Sequence, residues 1–141
     1  MSIEADIAAF VARLDSAIDS AMQGPVLDGA KKQIQKTAEE RVYSYPPVFD
    51  HRRMYGGGLI ADENLLSAYG DKELTIYNVA SWQHLYGGAY PGEELAEAIA
   101  AGSPQYHFGN AGARSFMPEA EQEFKPEFER ILGDALRAAG F

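Results

Sequence analysis

Leu65-Leu66-Ser67-Ala68-Tyr69-Gly70-Asp71-Lys72-Glu73-Leu74-Thr75-Ile76-Tyr77-Asn78-Val79 is the stretch on which the fold class turns. Its second half alternates, with Leu74, Ile76 and Tyr77 set among Thr75 and Asn78, which is the period of a half-buried strand. Gly70-Asp71-Lys72 interrupts the apolar residues with turn chemistry. The stretch therefore predicts two strands, 65–69 and 73–79, joined as an antiparallel hairpin.

Helical patterns flank this hairpin on both sides. Ile3, Ile7, Phe10, Val11, Leu14, Ile18 and Met22 recur at three- and four-residue steps, so residues 3–22 predict one amphipathic helix. Ser2 is its candidate cap, and Glu4 and Asp6 suit the positive end of the helix dipole. Its apolar face is expected to pack on the domain or on a partner. Gly24-Pro25 predicts a stop, followed by a second helix from about Pro25 to Val42 carrying a weaker stripe of Leu27, Ala30, Ile34 and Ala38. The short break is compatible with a helical hairpin or with one kinked helix. Glu93 to Ala101 is a short helix candidate, and Ser103 to Ser115 reads as a loop. Pro118 opens a C-terminal helix whose apolar face is Phe124, Phe128, Ile131, Leu132, Ala135 and Leu136; Pro126 predicts a kink or a fresh start within it.

Helices, then short strands, then a long helix make an α+β fold rather than an alternating one. It comprises N-terminal helices, a small antiparallel sheet of short strands and a long C-terminal helix. The 141 residues fit a single domain, 1–141, with a helical part at 1–42, strands and loops at 43–115 and the C-terminal helix at 116–141. Hydrophobic residues make up 46% and charged residues 23%, enough for a core without staples. The absence of cysteine excludes disulfides, thiolate metal sites and cysteine nucleophiles. No apolar run approaches the roughly 20 residues of a membrane span, and the start of the chain lacks the pattern of a signal peptide.

Signatures of catalysis are missing from the sequence. It contains no Walker A loop, dinucleotide fingerprint, zinc-protease helix or nucleophile elbow. Gly56-Gly57-Gly58 lacks the following helix and lysine of a phosphate loop and reads as a turn. His51, His84 and His107 lie far apart without ligand spacing. Asp50-His51-Arg52-Arg53 can be read as an acid–base pair with a phosphate clamp, but adjacent arginines in an acidic chain more often pair with carboxylates across an interface. Neither an enzyme nor a cofactor is therefore expected. Tyr43, Tyr45, Tyr55, Tyr69, Tyr77, Trp82, Tyr86 and Tyr90 crowd the middle third, as half-buried rings of a small sheet or as interface residues.

Two stretches carry a family resemblance. Val42-Tyr43-Ser44-Tyr45-Pro46-Pro47, then His51-Arg52-Arg53, Gly57-Gly58-Leu59 and Asn64-Leu65, resemble minor virion proteins of long-tailed phages. Arg114-Ser115-Phe116-Met117-Pro118-Glu119-Ala120, ahead of the last helix, resembles the segment at the same place in the phage tail-completion family. The likeness spans about residues 26–140, departing at Ser115, where that family often has proline, and at Pro126. It implies a ring-forming structural protein of the neck or tail at the head–tail joint, an α+β homo-oligomer seated against connector and tail-tube proteins. Its place would be the virion, reached by assembly in the host cytoplasm, with no specific nucleic-acid sequence and no membrane as partner.

On that reading the subunit-interface candidates are Tyr45, Arg52, Arg53, Tyr55, Gly57, Gly58, Trp82, Tyr86 and Arg114. Phe116 and Met117 are structural anchors. The segment from Asp50 to Asn64 is expected to be mobile in the free subunit and ordered on assembly, since its glycines make ordering costly. The alternatives are a non-enzymatic protein–protein adaptor and, behind it, a hydrolase using His51 or His84.

The net charge of −9, from 21 acidic and 12 basic residues, opposes free nucleic-acid binding, because phosphate contacts supply most non-specific affinity. The isolated chain should leave duplex DNA unshifted in a low-salt mobility assay. Submicromolar binding that weakens steeply with salt would overturn that expectation.

Overall fold

The structure, a computed structural model, describes residues 2–43, 58–79, 82–83, 89–90 and 116–141. The fold is α+β, with helices at both ends and a two-stranded antiparallel sheet between them. Helix α1 spans Ile3–Ala21. Ser2 caps it from an extended backbone, its hydroxyl accepting the Ala5 N–H at 3.1 Å, which satisfies one of the orphan donors of the first turn.

Gly24-Pro25 does not stop the chain. A π-helical turn, Met22–Val26, carries helical backbone straight into α2, Leu27–Ala38, and a second π turn, Glu39–Tyr43, extends it further. Pro25 brings no N–H and its ring crowds the preceding turn, which breaks an ordinary helical ladder. The wider π turn absorbs both defects. The expected stop is thus a bulge in one helical run from Ile3 to Tyr43, about 60 Å long at 1.5 Å per residue.

Helix α3, Met117–Ala138, lies antiparallel against this run. Its start faces Thr37 and Arg41 through Glu123, and the residues after its end reach Phe10 through Phe141. Pro118 occupies the first turn, where its missing N–H costs nothing. Pro126 is expected to kink or restart the helix; α3 does not restart there but runs on as one element from Met117 to Ala138. Pro126 and Gln122 are both exposed, so the Gln122 carbonyl that loses its partner has water beside it. The end of α3 is closed by Gly140 at φ 98°: Gly140 N–H reaches the Arg137 carbonyl and Phe141 N–H the Leu136 carbonyl. This left-handed cap turns Phe141 back toward the long helix.

Strands β1, Leu65–Gly70, and β2, Glu73–Asn78, pair from Leu65↔Asn78 to Gly70↔Glu73. Gly70 belongs to the ladder, so the loop is Asp71-Lys72 alone, shorter than the expected three-residue turn. Both residues have positive φ, 50° and 63°, the backbone of a type I′ turn that matches the twist of its strands. A second small sheet pairs β3, Trp82–Gln83, with β4, Ala89–Tyr90.

The core forms where three chain segments meet. Ile34, Ala38 and Val42 stand one helical turn apart on the long helix, and Leu59, Leu65, Phe116 and Ala120 close over them. Ile60, Ile76 and Met117 pack at its edge. Among the described residues, two polar residues are buried with partners: Asn78 donates to the Leu59 carbonyl at 2.9 Å, and Thr37 donates to Glu123 at 3.2 Å while accepting from Gln33 at 3.0 Å. Leu59 is buried and the Ile60 carbonyl accepts from the Gln35 side chain. Within the 50–64 segment, Leu59 and Ile60 are therefore held at the core, whereas Asp62 and Glu63 are exposed. The rest of that expectation, and the Glu93–Ala101 helix and Ser103–Ser115 loop, lie outside the described residues.

Gly29 sets the distance between α2 and α3, since a Cβ there would meet Ile131 Cδ1 at 2.7 Å and Phe124 Cε1 at 3.2 Å. A Cβ at Gly24 would meet open space. Gly29→Leu should cost about 1–3 kcal/mol by overpacking. Gly24→Ala should stabilise by about 0.5–1 kcal/mol through helix propensity. Urea unfolding monitored by circular dichroism separates the two effects.

Candidate assembly surface

The helices differ in length, and that difference exposes the most unusual surface of the molecule. At 22 residues α3 is about 33 Å long, roughly half the run it packs against. Its cap delivers Phe141 edge-on to Phe10, ring centroids 5.6 Å apart, leaving the first two turns of α1 beyond it. Every residue from Ser2 to Arg13 is exposed. The apolar stripe continues through this overhang: Ile3 is 77% exposed, Ile7 57%, Val11 48% and Phe10 46%. The stripe goes under cover only from Leu14 and Ile18, both half-buried, to Ala21 and Met22, which are buried. Of the expected packing on the domain or on a partner, the domain takes the C-terminal half of this face, with Phe10 touching Phe141.

A second exposed apolar pair lies on the hairpin. Leu66 and Tyr77 are cross-strand partners, 52% and 46% exposed. Their neighbours Leu65 and Asn78 point to the core, as strand alternation requires.

The hairpin is held along the long helix by a polar clamp at its tip. Tyr69 Oη donates to Asp19 Oδ1 at 2.6 Å, and Lys72 Nζ donates to the same oxygen at 2.7 Å, with Asp15 4.0 Å from the ammonium. The Lys72 hydrogen bond, then that of Tyr69, holds the Asp19 carboxyl below the usual range. The same contacts push the Tyr69 hydroxyl and the Lys72 ammonium up. Similarly, the hydrogen bond from Arg130 lowers Glu127 on the outer face of α3. These shifts arise in solvated ion pairs that fasten elements together, and none is a buried group poised for proton transfer. At the other end of the interface, Glu123 accepts from Gln33, Thr37 and Arg41, tying α3 to the long helix.

Between α1 and α3 runs an open trough of about 480 Å³, lined by small residues including Ser16, Ala17, Ser20 and Ala135, with Arg13 and Phe141 at its mouth. Its polar lining, Arg13, Ser16 and Ser20, carries no carboxylate or imidazole. Among the described residues no group of three metal-ligating side chains comes together, and no helix is long and apolar enough to cross a membrane.

Of the interface candidates named from sequence, Tyr45, Arg52, Arg53, Tyr55, Gly57, Tyr86 and Arg114 lie outside the described residues, as do His51, His84 and His107. Gly58 opens the 3-10 turn that leads Leu59 into the core, and Trp82 pairs with Tyr90 in the small sheet. Phe116 is buried and Met117 packs beside it. The Asp19–Tyr69–Lys72 clamp went unread in the sequence, where Tyr69 was only one of many central aromatics and Asp19 one of many acids. The Gly140 turn, by contrast, carried a legible signal, a glycine just past a helical stripe.

No protein-family model, curated protein or solved structure matches this chain.

The clamp has a definite pH signature. Because Asp19 is more acidic in the folded chain than in the unfolded one, its contribution is present above the ordinary carboxylate pKa of about 4 and is lost as pH falls through the folded value. Asp19→Asn should lower the melting temperature modestly at pH 7 and leave it unchanged near pH 2. Added salt should shrink the difference, since the group is solvated. A pH-independent loss would mean that Asp19 acts through packing.

Proposed function

We propose that the chain is a structural subunit of a phage neck or tail, of the tail-completion or head–tail joining kind, working through surfaces rather than a reaction centre. The observation that carries the reading is the presence of two separate exposed apolar surfaces, the overhanging α1 stripe and the Leu66/Tyr77 pair, on one small acidic chain. A chain that ends its life as a monomer has no use for both, whereas a subunit set between neighbours does. The resemblance of residues 42–65 and 114–120 to minor virion and tail-completion proteins supplies the kind of assembly. A homo-oligomeric ring, placed against connector and tail-tube proteins in the virion, is the form it takes.

The charge supports the same reading. A conduit for DNA works best with a wall that does not hold phosphate, and a net charge of −9 repels it.

The core anchor and the interface arginine separate stability from assembly. Phe116→Ala should destabilise the chain by about 3–5 kcal/mol, because a fully buried ring is removed. The native chain should form rings in negative-stain electron microscopy; Arg114→Ala should leave the melting temperature unchanged and abolish them. A native chain that forms no ring at any concentration, alone or with its connector, would sink the proposal. Equal loss of stability from both substitutions would show Arg114 to be part of the core.

A further inference from the structure

The overhang of α1 carries a pattern that names its occupant. Ile3, Ile7, Phe10 and Leu14 follow one another at steps of four, three and four, the seam of a coiled coil with Ile3 and Phe10 at d and Ile7 and Leu14 at a. Asp6 and Arg13 then fall at the g positions beside the seam. Neither has an ion-pair partner among the described residues; Arg13 lies 5.9 Å over the Phe10 ring, which holds its guanidinium beside the stripe.

We propose that this face pairs with the same face of a second copy, antiparallel, in a two-fold dimer. Antiparallel seams layer a against d. Ile3 then meets the partner's Leu14 and Ile7 meets the partner's Phe10, each layer repeated by the symmetry. In that orientation g faces g, so Asp6 meets the partner's Arg13 and Arg13 meets the partner's Asp6. A parallel pair would instead set Asp6 against Val11 and Arg13 against Ile18, with no opposite charges matched. The helix is thus complementary in charge to its own reverse, which is what an isologous contact requires.

The geometry leaves room for the pairing. The cap of α3 stops at Phe10, and the hairpin tip stops at Asp15 and Asp19, so the seam from Ile3 to Phe10 is open, and Leu14, half-buried, offers its exposed edge to the partner's Ile3 in the two outer layers. Four layers cover less than the ~1,600 Å² of a standard stable interface, so the dimer is reversible. An isologous contact consumes one surface and leaves the hairpin face free, and the pairing stands whether or not the chain also forms rings.

The test is sedimentation of the full chain over a range of concentrations. The native protein should pass from one chain to two as concentration rises. Ile7→Glu should remain a single chain with an unchanged melting temperature, because Ile7 is exposed in the subunit. Asp6→Arg or Arg13→Asp alone sets like charges together and should weaken the dimer on the order of tenfold; the double reversal should restore it. The chain has no cysteine, so introduced thiols report orientation cleanly. A mixture of Ile3→Cys and Leu14→Cys chains should cross-link to each other, while Ile3→Cys alone should not, its two copies lying about 16 Å apart along the axis. A native chain that stays single at all concentrations, a dimer indifferent to Ile7→Glu, a double reversal that fails to restore, or a symmetric Ile3→Cys disulfide would each overturn the pairing.

Discussion

The row of Ile34, Ala38 and Val42 on one edge of the long helix is the constraint on which the remaining structure depends. These three residues accept Leu59 from the turn before the hairpin, Leu65 from its first strand, and Phe116 and Ala120 from the start of α3. Segments distant in sequence thus share one small apolar volume, and the closure entropy of bringing them together is offset only there. Ala38 and Ala120 are small where backbones approach, and Leu and Phe fill the space between. The two buried polar side chains, Asn78 and Thr37, sit at the margin of this cluster and bond across it to Leu59 and Glu123. Their geometry ties the hairpin and α3 to the same site on the long helix.

From that fixed point the elements extend in one direction along the helix with unequal reach. The hairpin runs from its buried base to a tip clamped at Asp15 and Asp19, and α3 runs from Glu123 to a capped end beneath Phe10. Neither covers the first two turns of α1. The apolar stripe is continuous, but its burial is not. The same residue pattern serves as core at Ala21 and Met22 and as free surface at Ile3 and Ile7. Exposed surface and core are therefore parts of one amphipathic face, divided by where the covering elements end.

The prolines show how backbone defects are absorbed. Pro25 and Pro126 each remove a donor from a helix, and each sits where the helix can tolerate it. At Pro25 the turn widens to π geometry. At Pro126 the bereft carbonyl lies on an exposed side. The long helix needs to continue past Pro25 because the seam at Ile34 and the overhang at Ile7 belong to one lever, and packing against α3 on both sides of the bulge holds it in line.

Local periodicity was sufficient to place α1, the hairpin and α3, because their apolar repeats match a single period over many residues and their start signals, the Ser2 cap and Pro118 in the first turn, act within a few positions. Sequence alone also determined the net charge and the lack of thiols, and with them the chemistries excluded. It left open whether Gly24-Pro25 separates two helices or bends one, and whether Pro126 kinks or restarts α3, since whether a proline ends a helix depends on what packs around it and on whether the freed carbonyl meets water. The Asp19–Tyr69–Lys72 clamp was invisible because Asp19 lies 50 and 53 residues from Tyr69 and Lys72, and no local pattern marks which acid a tyrosine will meet. The α1 stripe was legible as apolar, but not as exposed. Exposure is a property of the distance at which α3 and the hairpin stop, and only the tertiary arrangement decides that.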